Sequence, residues 1–289
     1  MQNLDENTIT DEAIRRMANS RDPRFKEILT SLTRHLHDFA REVKLTEEEW
    51  MKGIEFLTAV GQKCDDKRQE MILLSDTLGL SMLVVALNHQ KPPGCTEATV
   101  FGPFHTDQAA TFKNGDDMAM GAAGEPAFIR GKVKGLDGKP IPNALLDVWQ
   151  ADGDGIYDIQ YNDKDGALFA RGRLNADSEG KYWFKSILPE FYSIPTDGPV
   201  GEWIDRAGKH PFRPAHLHFM IQAPGYEKLV THVFRSDDKY LDSDAVFGVR
   251  SSLIADWVKR ESGTAPDGSK MDKPYYTLDF DFVLNPASK

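Results

Sequence analysis

A chain of 289 residues can bury a large core in one or two domains, and 40% hydrophobic with 28% charged residues is the composition of a soluble globular protein. The formal charge of −10 weighs against nucleic acid or an anionic membrane as partner, because no stretch gathers a basic patch. Only two cysteines occur, Cys64 and Cys95, which excludes a disulfide framework or a zinc ribbon and points to a reducing cytoplasm.

The first fourteen residues are acidic and polar and unlike a signal peptide. Over residues 25–43 apolar side chains recur at helical spacing (Phe25, Ile28, Leu29, Leu32, Leu36, Phe39, Val43), which predicts an amphipathic helix. That helix carries His35-Leu36-His37. At about 100° per residue the two imidazoles project roughly 200° apart and cannot share a metal. Thr46-Glu-Glu-Glu49 has the capping-box pattern and opens a segment with Trp50, Ile54, Leu57 and Val60. Residues 71–87 predict another, strongly apolar helix, interrupted by Ser75, Asp76 and Gly79; its longest apolar run, around Leu80 to Leu87, is too short to span a membrane.

After Lys91-Pro-Pro-Gly94 the texture changes to short β-rich runs divided by Gly, Pro, Asp and Asn turns. Residues 128–133, the turn at 136–140 and residues 144–149 read as a strand–turn–strand unit. Residues 276–284 alternate as a closing strand. The expected fold is therefore α+β: a helical part over residues 1–94, then a mostly antiparallel β-sandwich over residues 95–289 that holds the chemistry.

Asp152-Gly-Asp154-Gly155 invites a calcium-loop reading, but the fifth position is Ile156 and no helices flank it, so it reads as a solvated turn. Tyr157 follows that turn directly. Tyr192 lies in a proline-bounded loop, Pro189-Glu-Phe-Tyr-Ser-Ile-Pro-Thr-Asp-Gly-Pro199. Taken singly, each tyrosine reads as an amphipathic core or interface residue. Arg213-Pro-Ala-His-Leu-His-Phe219 is different: in a strand, residues at i and i+2 share a face, so His216 and His218 project together. Two imidazoles on a rigid strand are half of a transition-metal site and suit Zn, Cu and Fe alike. With cysteine nearly absent, the remaining ligands are carboxylate, histidine or tyrosine. A phenol titrates near about 10, and only a strong Lewis acid such as Fe(III) holds it ionised at neutral pH.

The set Gly155-Ile-Tyr157, the Tyr192 loop and Arg213-Pro-Ala-His-Leu-His218, in that order and spacing, resembles the intradiol ring-cleaving dioxygenases, non-haem Fe(III) enzymes that open catechols between their two hydroxyls. Leu73-Leu-Ser-Asp-Thr-Leu78, Ala98-Thr-Val-Phe-Gly-Pro-Phe104, Leu229-Val-Thr-His-Val-Phe234 and Leu241-Asp-Ser-Asp-Ala-Val-Phe-Gly248 resemble the branch of that family acting on hydroxyquinol. The catechol branch usually has Gln where this chain has His232.

The resemblance implies one Fe(3+) per subunit held by Tyr157, Tyr192, His216 and His218, with Tyr192 also taking a proton. Arg213 would stabilise charge on the ring and His232 would assist it by hydrogen bonding. Leu73, Asp76, Val100, Phe101, Gly102, Pro103, Phe104, Ile194, Pro195 and Arg213 would line the substrate pocket, Asp76 meeting the third ring hydroxyl. It further implies a homodimer built on the helical part, with a lipid-like molecule at its interface, and hydroxyquinol with O2 as substrates giving 3-hydroxy-cis,cis-muconate, the enol of maleylacetate. Catechol or a chlorocatechol is the alternative substrate. Competing classes are a prealbumin-like β-sandwich binding module, on the look of residues 131–149, and a zinc hydrolase using His216 and His218 with a carboxylate.

Overall fold

A short helix α1 (Ile9–Arg15) precedes α2 (Pro23–Glu42). Pro23 at the first turn and the Asp22 carboxylate, which accepts from the backbone N–H of Arg24 and Phe25 at 2.9 and 3.0 Å, start α2. Helix α3 (Glu47–Gln62) begins with the reciprocal cap that its sequence predicts: Thr46 N–H donates to Glu49 Oε2 at 2.9 Å, and Glu49 N–H to Thr46 Oγ1 at 3.2 Å. The computed structural model describes residues 3–65, 68–161 and 168–287. Its contacts divide the chain into two compact units, Met1–Ala59 and Val60–Lys289.

In the first unit α1 meets α2 where Thr10 Oγ1 lies 2.9 Å from His37 Nδ1, while His35 is exposed. The two imidazoles of that triplet diverge, as a helical period requires.

After the last residues of α3, the second unit carries α4 (Glu70–Thr77) and α5 (Leu80–Asn88). The one helix expected over residues 71–87 is thus two, meeting at 78°. The break is Gly79, at φ +77°, a left-handed conformation that costs an L-residue with a Cβ but not glycine. No single helix among the described residues is long and apolar enough to cross a membrane.

Strands follow: β1 (Pro126–Gly135), β2 (Leu145–Gln150), β3 (Arg171–Asn175), β4 (Lys181–Ile187) and β5 (Tyr192–Ser193). After α6 (Pro199–Arg206) come β6 (Phe212–Arg213), β7 (His216–Gln222), β8 (Leu229–Arg235), β9 (Ile254–Ala255) and β10 (Val258–Arg260). The series closes with β11 (Gly263–Thr264), β12 (Lys270–Met271), β13 (Tyr275–Asp279) and β14 (Phe282–Leu284). One sheet has the order β3-β2-β7-β8-β9, and the other joins β10, β13, β1, β14 and β4 around β1. Small ribbons, β5 with β6 and β11 with β12, stand apart.

The strand–turn–strand unit is present, but β1 and β2 lie in different sheets, so its turn carries the chain across the sandwich. The closing strand is divided into β13 and β14, both parallel to β1. Between them Phe280 N–H still donates to Arg130 O of β1 at 2.9 Å, but side chains take the other bonds: Tyr182 Oη donates to Phe280 O at 2.7 Å and the Asp281 carboxylate accepts from Lys132 N–H at 2.9 Å. The sandwich is therefore mixed, with antiparallel pairing throughout β3-β2-β7-β8.

Its core is filled from both sheets by Ile129, Val133, Leu146, Val148, Tyr182, Phe184, Leu217, Phe219, Ile221, Val233 and Phe282. Phe219 of β7 meets Phe282 of β14 with ring centroids 4.7 Å apart. Because Leu217, Phe219 and Ile221 face this core, His216 and His218 face away from it.

Candidate metal centre and active site

Strand register gathers the imidazoles. His218 stands opposite Trp149 on β2 and opposite His232 on β8, a row of three rings across adjacent strands. Trp149 stacks on His218 at 4.6 Å and 15°, and His232 lies against His216 at 4.5 Å and 19°. All four side chains are buried.

The tyrosines arrive on loops. Asp152 Oδ1 accepts from the backbone N–H of Asp154 and Ile156 at 3.0 and 3.1 Å, and Tyr161 Oη donates to Oδ2 at 2.6 Å. The aspartate-rich stretch is therefore a hydrogen-bonded turn that leads into Tyr157, but it is not simply solvated as expected, since Asp152 is buried and spends both oxygens inside the loop. Gly155 (φ +78°) lets this loop touch the next one: a Cβ there would stand 2.8 Å from Phe191 O and 3.2 Å from Tyr192 Cβ. Behind Tyr157, Asp158 and Arg171 form a buried two-pronged ion pair that includes Nε to Oδ2 at 2.6 Å, and Arg171 Nη1 donates to Phe104 O at 3.0 Å. That ties the Tyr157 loop to Phe104, which stacks on Tyr157 at 4.3 Å. Tyr192 on β5 pairs directly with Arg213 on β6.

The polar atoms converge. His216 Nδ1 donates to Pro214 O at 2.7 Å, which leaves Nε2 as a lone pair. That nitrogen is 3.1 Å from His218 Nε2, which is in turn 2.9 Å from Tyr157 Oη. Arg213 Nη1 is 3.3 Å from Tyr192 Oη and 3.4 Å from His216 Nε2. Burial, aided by the Arg213 cation, pulls His216 down to about 3, and burial also holds His218 and His232 well below the usual imidazole range. Burial, with Tyr192 alongside, pushes the Tyr157 phenol well above its ordinary value. Arg213 stays charged because Asp244 and the tyrosines outweigh the cost of its burial.

Imidazoles kept neutral by burial, with their Nε2 atoms 3.1 Å apart, meet the requirement for metal binding, since ligand histidines must be unprotonated. Donors about 2.0–2.1 Å from a common ion stand about 3 Å apart at near-right-angled bonds, so this nitrogen pair fits one. His216, His218 and His232 have their nearest ligand atoms within 4.8 Å of one another, and the cluster can hold a metal ion. His232, however, turns Nδ1 toward Arg213 Nη2 at 3.5 Å, whereas Tyr157 Oη lies 2.9 Å from His218 Nε2. The groups nearest His218 Nε2 are therefore Tyr157 Oη at 2.9 Å and His216 Nε2 at 3.1 Å, a mixed oxygen-and-nitrogen donor set.

Of the expected pocket residues, Phe104 touches both tyrosines, and Gly102 lies 3.2 Å from His218 Cε1, measured to the Cβ it lacks. Leu73, Val100 and Ile194 are buried. Asp76 is buried too, and burial raises its pKa against the opposing pull of Ser81 and Arg213. Phe101 leans on His105 and Trp149 rather than on the tyrosines, Pro103 is exposed and Pro195 half-buried. Sequence reasoning did not single out Trp149, the Asp158–Arg171 pair or Asp244. Trp149 and Arg171 meet the site only through strand register. Asp158 stands beside Tyr157, but a lone aspartate in a loop gives no sign that it is buried.

Similarity to known proteins identifies the family. A family profile described as dioxygenase matches residues 100–286, and one described as catechol dioxygenase N terminus matches residues 22–96. The chain belongs to the intradiol ring-cleavage dioxygenases, and it is an enzyme of that class. It is similar to the 6-chlorohydroxyquinol 1,2-dioxygenase of Cupriavidus pinatubonensis, with 58% identity over 99% of this chain and 100% of that one. It is also similar to the hydroxyquinol 1,2-dioxygenase of Nocardioides simplex, with 46% identity over 98% and 96% of the two chains. The crystal structure of hydroxyquinol 1,2-dioxygenase from Pseudomonas putida superposes with a TM-score of 0.90 at 50% identity, over 98% of this chain and 99% of that one.

Proposed function

We propose that this protein opens hydroxyquinol (1,2,4-trihydroxybenzene) between adjacent hydroxyls with O2, giving 3-hydroxy-cis,cis-muconate, the enol of maleylacetate. The observation that carries the reading is the meeting of two neutral imidazoles and two phenols in one buried spot beside Arg213. Fe(III), one per subunit on Tyr157, Tyr192, His216 and His218, would supply the Lewis acidity that holds phenolates and a bound diol ionised at neutral pH.

The chain's own groups do the rest. Tyr192 takes a proton from the incoming diol. Arg213, a fixed buried cation, stabilises negative charge gathering on the ring oxygens, and His232 steadies its Nη2 side. Leu73, Val100, Phe101, Gly102, Pro103, Phe104, Ile194 and Pro195 wall the ring and keep water out. Asp76 accepts a hydrogen bond from the third hydroxyl, an interaction that catechol lacks. The helical part to residue 94 and the catalytic part from residue 95 are the two functional divisions, a reading supported by two family profiles that meet near that point. A homodimer is supported by the apolar face of α2, where Phe25, Leu32, Leu36 and Phe39 are each 50–55% exposed. A lipid-like molecule at that interface and a cytoplasmic setting complete the reading.

Purified iron-loaded protein is expected to be red to burgundy, from phenolate-to-Fe(III) charge transfer, and to take up O2 faster with hydroxyquinol than with catechol or chlorocatechols. Zinc-loaded protein stays colourless. A preparation that remains colourless and inactive after iron loading overturns the reading. Asp76→Ala should lower the preference for hydroxyquinol over catechol by at least about tenfold, the worth of a hydrogen bond to a charged acceptor. An unchanged ratio removes Asp76 from substrate recognition.

A further inference from the structure

Arg213 is a buried side chain with a long stem and several donors, and most of its neighbours hold it loosely. Its contacts with Tyr192, His216 and His232 are 3.3, 3.4 and 3.5 Å. The Asp244 contacts are different in kind. Asp244 Oδ1 accepts from Nε at 3.0 Å and Oδ2 from Nη2 at 3.2 Å, a two-pronged pairing that fixes the plane of the guanidinium as well as its place. With Nε and Nη2 engaged there, Nη1 is the arm turned to Tyr192 Oη and His216 Nε2.

Asp244 is itself tethered by the backbone around it. Its Oδ1 also accepts from Val246 N–H at 3.2 Å and its Oδ2 from Gly248 N–H at 2.9 Å, so both oxygens are saturated. Gly248 O in turn accepts from Thr99 Oγ1 at 2.9 Å, which ties this turn to the segment that runs into Val100 and the pocket wall. Both charges reach Asp76, Arg213 lowering its pKa and Asp244 raising it.

We propose that Asp244 is the positioning residue of the ring-opening reaction: it holds Arg213 in the one orientation that presents Nη1 to Tyr192 and the bound substrate. The inference rests on the dioxygenase reading above. Asp244 touches no substrate and acts only through Arg213, so removing it should do nothing further once Arg213 is gone.

The test is a double-mutant cycle on the iron-loaded full chain with Asp244→Asn, Arg213→Ala and the pair. Asparagine keeps the shape but has one carbonyl oxygen, so it cannot accept on both prongs. Asp244→Asn is expected to lower kcat for hydroxyquinol by about a hundredfold, the cost of a small misplacement of a reacting group. It should lower kcat by less than about twofold in the Arg213→Ala background, where coupling is absent. The iron content should match the parent, and the visible absorption should move, because a guanidinium edge beside Tyr192 has shifted. An equal loss in both backgrounds assigns Asp244 to the scaffold and overturns the proposal, as does a kcat within threefold of the parent. A variant that fails to fold or load iron, judged by circular dichroism and iron content, overturns it too. The parent run alongside separates the two readings: its own failure to consume O2 with hydroxyquinol overturns the function, not the role of Asp244.

Discussion

His218 is held in an unusual way for a histidine proposed to bind a metal. Its Nδ1 is buried and without a hydrogen-bond partner, whereas His216 anchors the corresponding nitrogen on Pro214 O at 2.7 Å. Such second nitrogens usually donate to a carbonyl or carboxylate, which fixes the ring. Here the stacked indole of Trp149, 4.6 Å away, takes that part by packing. Trp149→Leu should therefore weaken iron binding by about 10–100-fold in a chelator competition, the range for lost outer support of a ligand. Unchanged affinity would show that the neighbouring rings suffice. At this scale the sequence was legible where chemistry repeats at a short period: His-x-His on a strand needs only alternation to be read. Trp149 was not, because nothing along the chain says that β2 lies beside β7.

Two elements show how local conformation builds the site. Gly79 divides an apolar run into α4 and α5, and Asp76 lies on α4, three residues before it. Gly79→Ala forces a left-handed alanine, and its Cβ would meet the Phe247 ring at 3.4 Å, ordinary contact. The cost is conformational, and a loss of about 1–2 kcal/mol in chemical denaturation is expected; a stabilised variant would contradict it. The Asp158–Arg171 pair behaves differently. Asp158→Ala leaves a buried guanidinium without its carboxylate and should cost about 3–5 kcal/mol, while the joint change Asp158→Ala with Arg171→Met should recover much of that. Denaturation midpoints of the three proteins check this. The capping box at Thr46 is a local signal and was readable, whereas the left-handed turn at Gly79 was read only as an interruption within one helix. The division of residues 276–284 into β13 and β14 was not readable, since it depends on Tyr182 and Lys132, which bond to Phe280 and Asp281 from strands far away in sequence.

For the whole molecule the buried imidazoles set the response to acid. His216 titrates at about 3 in the folded chain against about 6.5 unfolded. The unfolded chain therefore takes up protons first, and stability falls as pH drops below about 6.5, by about 1.4 kcal/mol per pH unit for each such histidine. His218 and His232 are shifted in the same direction. Asp244, held low by Arg213 against its own burial, adds stability that is kept above the ordinary carboxylate range and lost only below it. Iron-free protein should thus have a clearly lower urea midpoint at pH 5.5 than at 7.5, and a flat profile over that interval would count against neutral buried histidines.

Alternation, capping and turn chemistry act over a few residues, so the sequence by itself determined the helical beginning, the β-rich remainder and the shared face of His216 and His218. Resemblance of motifs added Tyr157, Tyr192 and Arg213. Tertiary structure alone decided that Trp149 and His232 flank His218, that Arg171 braces Tyr157 through Asp158, and that Asp244 grips Arg213. Those contacts are set by strand register and by loops closing across the sandwich, and neither leaves a periodic mark in the chain.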